Sequence, residues 1–270
     1  DHDAAHVLLL ADPFTCDLEP LLAGFDRHLH GGRTFGGLAS GGEAPGRNVL
    51  VEGSTLHRGG AVAVAMRGEL AVETIVAQGC RPIGDPMFVT SVDGPLVRTL
   101  DGEPPAYAMR TLYDRLDARD HELFRHSLFL GVVMRKAREA YGHGDFLVRN
   151  IVGLDSETGG LVVGASLQVG SVVQFHLRDA MTSADDLEAV LARQVSSGGR
   201  LPTGGLLFSC LGRGAQLYGV PDHDTDAFSR HFGDVPLAGF FCNGEIGPVQ
   251  GTTFVHGYTS AFALFSPRSR

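Results

Sequence analysis

The densest group of residues able to do chemistry in this chain is Phe208-Ser209-Cys210-Leu211-Gly212-Arg213-Gly214. A cysteine at the carboxyl end of an apolar run, followed by a glycine turn, sits where open α/β sheets place ligands, and such a turn can aim backbone N–H groups at an anion. Arg213 would favour a thiolate if its side chain folds back toward the sulfur. The pattern approaches a nucleophile elbow, but Phe208 takes the place of the first glycine of G-x-C-x-G. The competing reading is a small buried cysteine beside glycines that only turn the chain. Gln78-Gly79-Cys80-Arg81-Pro82-Ile83-Gly84 repeats the composition. Two Cys/Arg/Gly corners suggest a pocket between the halves of the chain, against a plain turn in which Arg81 caps carbonyls. Asn243-Gly244-Glu245 follows another apolar run; Asn243 offers both donor and acceptor, and Glu245 a carboxylate suited to an amine. Asn-Gly is equally a strong turn signal. His256 could bring an imidazole to the same edge, and it is the candidate base if Cys210 is a nucleophile. Asp222-His223-Asp224 superficially resembles a metal cluster, but these residues share no helical face and lack a further ligand at a recognised spacing, so no metal is expected. The phosphate-binding patterns G-x-x-x-x-G-K-[ST] and strand-anchored G-x-G-x-x-G are absent from the sequence, and no cofactor is expected.

These residues need elements to position them. His6 to Ala11 is a continuous apolar run, as in a strand buried on both faces, and a helix follows over about Leu18 to Leu29. Thr34–Leu38, Val49–Glu52, Ala61–Met66 and Val72–Ala77 read as strands of hairpins punctuated by glycine pairs. After the polar, proline-bearing stretch Asp101 to Pro105 the pattern turns helical, and a domain boundary is placed there, giving domains 1–101 and 102–270. Strands are expected at Leu128–Met134, Phe146–Leu154 and Ser171–Arg178. A helix over Ala184–Val195 is read as capped by Ser183, with Asp185 and Asp186 in its first turn. Gly204–Cys210, a helix over Asp224–Phe232 and Leu237–Asn243 form a β-α-β crossover, which predicts parallel neighbours and brings Cys210 and Asn243 to one edge. Gly257–Phe265 is a last strand. The expected fold is mixed α/β: two strand-rich sheets packed together with helices on the outside, one sheet mostly from each half.

Composition narrows the function. The chain has 270 residues, 37 of them glycine, and a net charge of −9. Its basic residues are scattered, so no clustered positive field suits nucleic acid. No apolar run approaches the roughly 20 residues a bilayer-crossing helix requires, and no membrane partner is expected. Cys16, Cys80, Cys210 and Cys242 show no C-x-x-C spacing, which fits reduced thiols in a cytoplasm.

Phe35 to Gly42 (FGGLASGG), Gln78 to Gly84, Phe208 to Gly214, Val235 to Gly247 (VPLAGFFCNGEIG) and His256 to Ser260 (HGYTS) resemble the FIST family, a pair of domains named for F-box and intracellular signal transduction proteins. The resemblance implies a sensory module that binds a small ligand such as an amino acid, with a protein partner in signalling; in eukaryotes the family forms the substrate-recruiting half of F-box proteins. It also implies a longer N-terminal domain than the one that starts here at Asp1. The ligand site expected from these corners comprises Cys210, Gly212, Arg213, Gly214, Asn243, Gly244, Glu245, Cys80, Arg81 and His256, with Arg213 meeting a carboxylate and Glu245 an amine. The alternatives are a cysteine-nucleophile enzyme using Cys210 with His256 as base, and a protein-recruiting scaffold.

Overall fold

The computed structural model describes residues 5–134, 140–198 and 200–268. In chain order its elements are β1 (His6–Ala11), α1 (Leu18–His28), β2 (Thr34–Leu38), β3 (Leu50–Glu52), β4 (Thr55–His57), β5 (Ala61–Met66) and β6 (Leu70–Gln78). The middle of the chain adds β7 (Cys80–Asp93), β8 (Leu96–Leu100), α2 (Pro105–Tyr113), α3 (Ala118–His126), β9 (Leu128–Val133), β10 (Phe146–Leu154), β11 (Leu161–Val163) and β12 (Val172–Arg178). The last part supplies α4 (Ala180–Ser196), β13 (Gly204–Cys210), α5 (Ala215–Tyr218), α6 (His223–Phe232), β14 (Leu237–Cys242), β15 (Glu245–Val249), β16 (Thr252–His256) and β17 (Thr259–Pro267). The fold is mixed α/β, as the sequence pattern predicts. The chain forms two compact units, one joining the residues up to Gln78 with those from Ala184 onward, the other running from Gly79 to Ser183.

The first unit is layered. One sheet has the order β16-β15-β2-β1-β5 and the other β14-β13-β17-β6. Alternation along β1 explains its continuous apolar sequence: Val7, Leu9 and Ala11 pack with Leu18 and Leu22 of α1, whereas Leu8 and Leu10 face Phe35, Phe208 and Cys242 between the sheets. Leu187 and Leu191 of α4 and Phe228 and Phe232 of α6 cover the far face of the second sheet, against Leu207, Phe262 and Leu264. Two sheets thus pack together with helices outside.

Three details depart from the sequence reading. Each sheet draws on both ends of the chain, since β2 pairs with β15 and β6 with β17; alternation fixes which face of a strand is apolar, not which distant strand lies beside it. β1 and β2 are parallel partners joined through α1, not arms of a hairpin. Ser183 is buried inside α4; the helix start is capped by Asp179, whose carboxylate accepts the Met181 N–H at 2.9 Å. Asp186 is consequently past the first turn, and its carboxylate accepts the Gln78 N–H at 2.7 Å.

The second unit is a closed barrel with strand order β10-β11-β8-β7-β12-β9, filled by Val89, Leu100, Leu130, Leu161, Phe175 and Leu177. The 101/102 division read from the sequence falls inside this unit. Cys80 and Arg81 do not sit on a terminal turn: they open the 14-residue strand β7 and pair with Arg178 and Leu177 of β12. Gly84, at φ 64°, and Pro86 carry a turn signal that the structure absorbs, because pairing with β12 slips between Ile83 and Met87. A bulge tolerates both residue types.

Candidate functional site

β13 and β14 run parallel with Cys210 opposite Cys242, so the two strands end on one side. The Leu211–Gly214 turn leaves from one and Asn243–Gly244 from the other. Crossovers of this kind leave a crevice beyond the carboxyl ends of the strands, and here the crevice is filled on one side by an ion pair. The Arg213 side chain has no exposed surface, and its Nε and Nη2 donate to Oδ2 and Oδ1 of Asp224, in the first turn of α6, at 2.8 and 3.1 Å. Asp224 also accepts from Ser260 Oγ at 2.5 Å and Ser209 Oγ at 3.2 Å, and lies 3.2 Å from His223 Nδ1. Burial alone would push the Asp224 carboxyl up; the Arg213 charge and these hydrogen bonds hold it below its ordinary value. The Tyr218 ring stacks on His223 with centroids 3.5 Å apart and has the Arg213 guanidinium carbon 5.5 Å from its centre.

Above this buried network lies a cleft of about 370 Å³. Ser209, Gly214, His223 and Asp224 line its polar side, and Leu237, Phe240 and Phe241 its apolar wall. Asp222 and Thr225 also border it. This is the usual composition of a small-molecule site, apolar walls with a few fixed polar groups.

The residues picked from the sequence divide into several groups. Gly214 lines the cleft, while Cys210 is half-buried at the end of β13 and Gly212 belongs to the turn after it. Arg213 lies under the cleft, engaged by Asp224, a partner different from the thiolate or ligand carboxylate expected for it. Asn243 and Gly244 bind back to β2: the Asn243 N–H donates to Leu38 O at 3.1 Å and Gly244 O accepts from the Leu38 N–H at 2.8 Å. Glu245 is wholly buried; its Oε2 accepts from Thr259 N and Oγ1 at 3.1 and 2.7 Å, and its Oε1 receives the Cys242 thiol at 3.4 Å. Burial pushes its pKa up to about 7 in spite of those bonds. Burial, and then Glu245, push the Cys242 thiol up as well. His256 is paired across the strands with Glu245 in the five-stranded sheet, and its Nε2 lies 3.0 Å from Gly247 O. Arg81, in the second unit, binds Asp120 at the start of α3 and reaches Asp179 at 3.5 Å, tying that unit together beside the buried Cys80.

Sequence reasoning passes over Asp224, Tyr218, Phe240 and Phe241 as site residues. Asp224 carries a usable signal: an acid in the first turn of α6, the helix that comes after the arginine-bearing glycine turn and the short α5. Phe240 and Phe241 give none, because consecutive aromatics look the same in a central strand as at an outer one.

An N-type and a C-type sensory domain in succession describe this chain. The FIST N domain model matches residues 2–103 and the FIST C domain model residues 108–248. The chain belongs to the FIST family, whose domains are generally described as small-ligand-binding sensory domains of signal transduction. It is similar to an uncharacterized protein of Mycobacterium tuberculosis (39% identity, covering 96% of this chain and 67% of that one). An uncharacterized protein of Mycobacterium bovis shows the same identity and coverage. F-box only protein 22 of Homo sapiens is 33% identical over a shorter match, 43% of this chain and 35% of that protein. Among the described residues no helix is long and apolar enough to cross a membrane.

Proposed function

We infer that the chain senses a small amino-acid-like metabolite in the cleft beside β13 and β14, acting in the cytoplasm, where its four thiols stay reduced. The observation that carries this reading is the 370 Å³ cleft along β14 and the amino-terminal end of α6, with an apolar aromatic wall and a polar floor already locked by Arg213 and Asp224. The ligand's ammonium is placed at Asp222, and its apolar body against Phe240 and Phe241. Arg213 and Asp224 serve as positioning residues: their saturated network fixes His223 and the Ser209 hydroxyl and leaves neither charge for the ligand. This differs from a site in which Arg213 and Glu245 grip the two ends of an amino acid, because both of those side chains are buried and bonded within the protein.

A thermal-shift screen of amino acids and biogenic amines tests the reading. A ligand present at about 100 times its Kd adds about 2.7 kcal/mol of stability. The shift is expected to vanish in Phe241→Ala and to weaken in Asp222→Asn. A complete panel that leaves the wild-type melting temperature unmoved, or a shift that survives both substitutions, refutes the site.

A further inference from the structure

The first unit contains the same arrangement twice. β1, α1, β2, the hairpin β3–β4 and β5 follow one another as β13, α6, β14, the hairpin β15–β16 and β17 do, the second set adding only the short α5 before α6. In each set the first strand lies between a parallel second strand and an antiparallel last one. Leu9 faces Gly36 in one set and Leu207 faces Gly239 in the other. At both glycines a Cβ would stand 1.8 Å from the facing leucine's carbonyl oxygen, so the two crossings share an uncommon backbone geometry.

The sets differ in one pairing. β15 leaves its own sheet and adds, antiparallel, to β2 of the other set, with Ile246 opposite Gly36 and Glu245 opposite Gly37. The reciprocal pairing is not made: β3–β4 stands as a separate two-stranded sheet, and β14 is the outermost strand of its own. That edge is conspicuously apolar, with Phe241 50% exposed. Val64 of β5, across from Leu8 and therefore on the inter-sheet side, is 55% exposed because the facing sheet stops at β14. Val51 and Leu56 of the hairpin are 57% and 65% exposed. An outer strand with such side chains is a template for pairing with another strand.

We propose that the outer edge of β14 is a strand-acceptor site and that its occupant is the chain's own β3–β4 hairpin, added antiparallel as β15 is added to β2. The two hairpins have equivalent two-residue turns, opened by Gly53 at φ 58° and Gln250 at φ 51°. Counting from those turns places Val49 opposite Gly239 and Val51 opposite Leu237. The chain is already tethered there. Leu38 O accepts the Asn243 N–H where the second set crosses over, and its counterpart Phe241 O accepts the Ser40 hydroxyl at 2.5 Å where the first set does. Eleven residues join β2 to β3, against two joining β14 to β15, so the reach is ample. Docking exchanges the present anchors of the hairpin, the Asn48 amide on Asp12 at 2.8 Å and the buried Leu50, for a ladder along β14, and because Leu237 to Phe241 also line the cleft, the hairpin and a ligand in the cleft compete for this strand.

The full chain carrying Val51→Cys and Leu237→Cys, oxidised and peptide-mapped, tests this. Opposed residues in a ladder lie within disulfide range, whereas Val51→Cys with Phe241→Cys is out of register by four residues, roughly 13 Å. An intrachain 51–237 disulfide is expected, without a 51–241 one. A bridge between two chains only, or no bridge in a folded protein, overturns the proposal. Independently, Val51→Asp changes a side chain that is exposed in the undocked hairpin, yet it is expected to speed amide exchange at Gly239 and Phe241 about tenfold; unchanged exchange at both also overturns it.

Discussion

Arg213 and Asp224 are a buried, bidentate pair whose remaining lone pairs are met by two serines and a histidine. Breaking such a pair from one side strands the other charge, so Arg213→Met is expected to cost about 3–5 kcal/mol in urea unfolding, and Arg213→Lys to recover only part of it because an ammonium cannot form the planar fork. Glu245 gives a second residue-level prediction. Its folded pKa of about 7 lies above the ordinary 4.5, so its contribution is fully present below pH 4.5 and is lost as the pH rises through 7. Roughly 3 kcal/mol is at stake across that interval. Glu245→Gln should flatten this part of the stability profile, and the comparison with wild type isolates it from His6, whose lowered pKa acts in the opposite sense. Among the thiols, alkylation followed by peptide mapping should label half-buried Cys210 well ahead of Cys80 and Cys242, which have no exposed surface.

At the scale of elements, the paired crossings make a sharp contrast between glycines. Gly36→Ala would drive a Cβ to 1.8 Å from Leu9 O at φ 153° and is expected to destabilise by about 3 kcal/mol or more. Gly24, in α1 with nothing within 4 Å of where a methyl would stand, should instead gain about 0.5–1 kcal/mol on change to alanine. Melting the two variants side by side checks both signs. The parallel pair β13–β14 was legible in the sequence because a helix stands between two apolar runs and handedness then leaves few choices. The barrel was not, since β7 carries two prolines and a positive-φ glycine that signal a turn and are absorbed by a bulge. The site was half legible. Cys210 to Gly214 marked the turn whose Gly214 lines the cleft, but whether Arg213 turns outward to a ligand or inward to Asp224 depends on where α6 begins in space, and no local spacing encodes that.

Across the whole molecule, the two units respond to pH through different groups. In the barrel unit His176 is buried with its Nδ1 on Gln174 O at 3.0 Å and its Nε2 without a partner among the described residues, and burial lowers its pKa to about 4. The unfolded chain takes up this proton from about pH 6.5 downward while the folded barrel refuses it, so stability is lost between pH 6.5 and 4, again roughly 3 kcal/mol. Hydrogen exchange between pH 4.5 and 7 should therefore show Leu130 and Phe175 loosening toward acid, a trend that His176→Phe abolishes if the packing is kept.

The insertion of residues 79–183 between the two parts of the first unit bears on the order in which the molecule is made. When β6 leaves the ribosome its partner β17 is still about 180 residues from synthesis, and β2 likewise waits for β15. The barrel, whose strands all pair within one continuous stretch, can close first. The amino-terminal strands must wait with open, apolar edges until the last strands arrive. Long-range pairings of this kind are slow and prone to association while unfinished, so newly made chains, rather than mature ones, are where a chaperone would be needed.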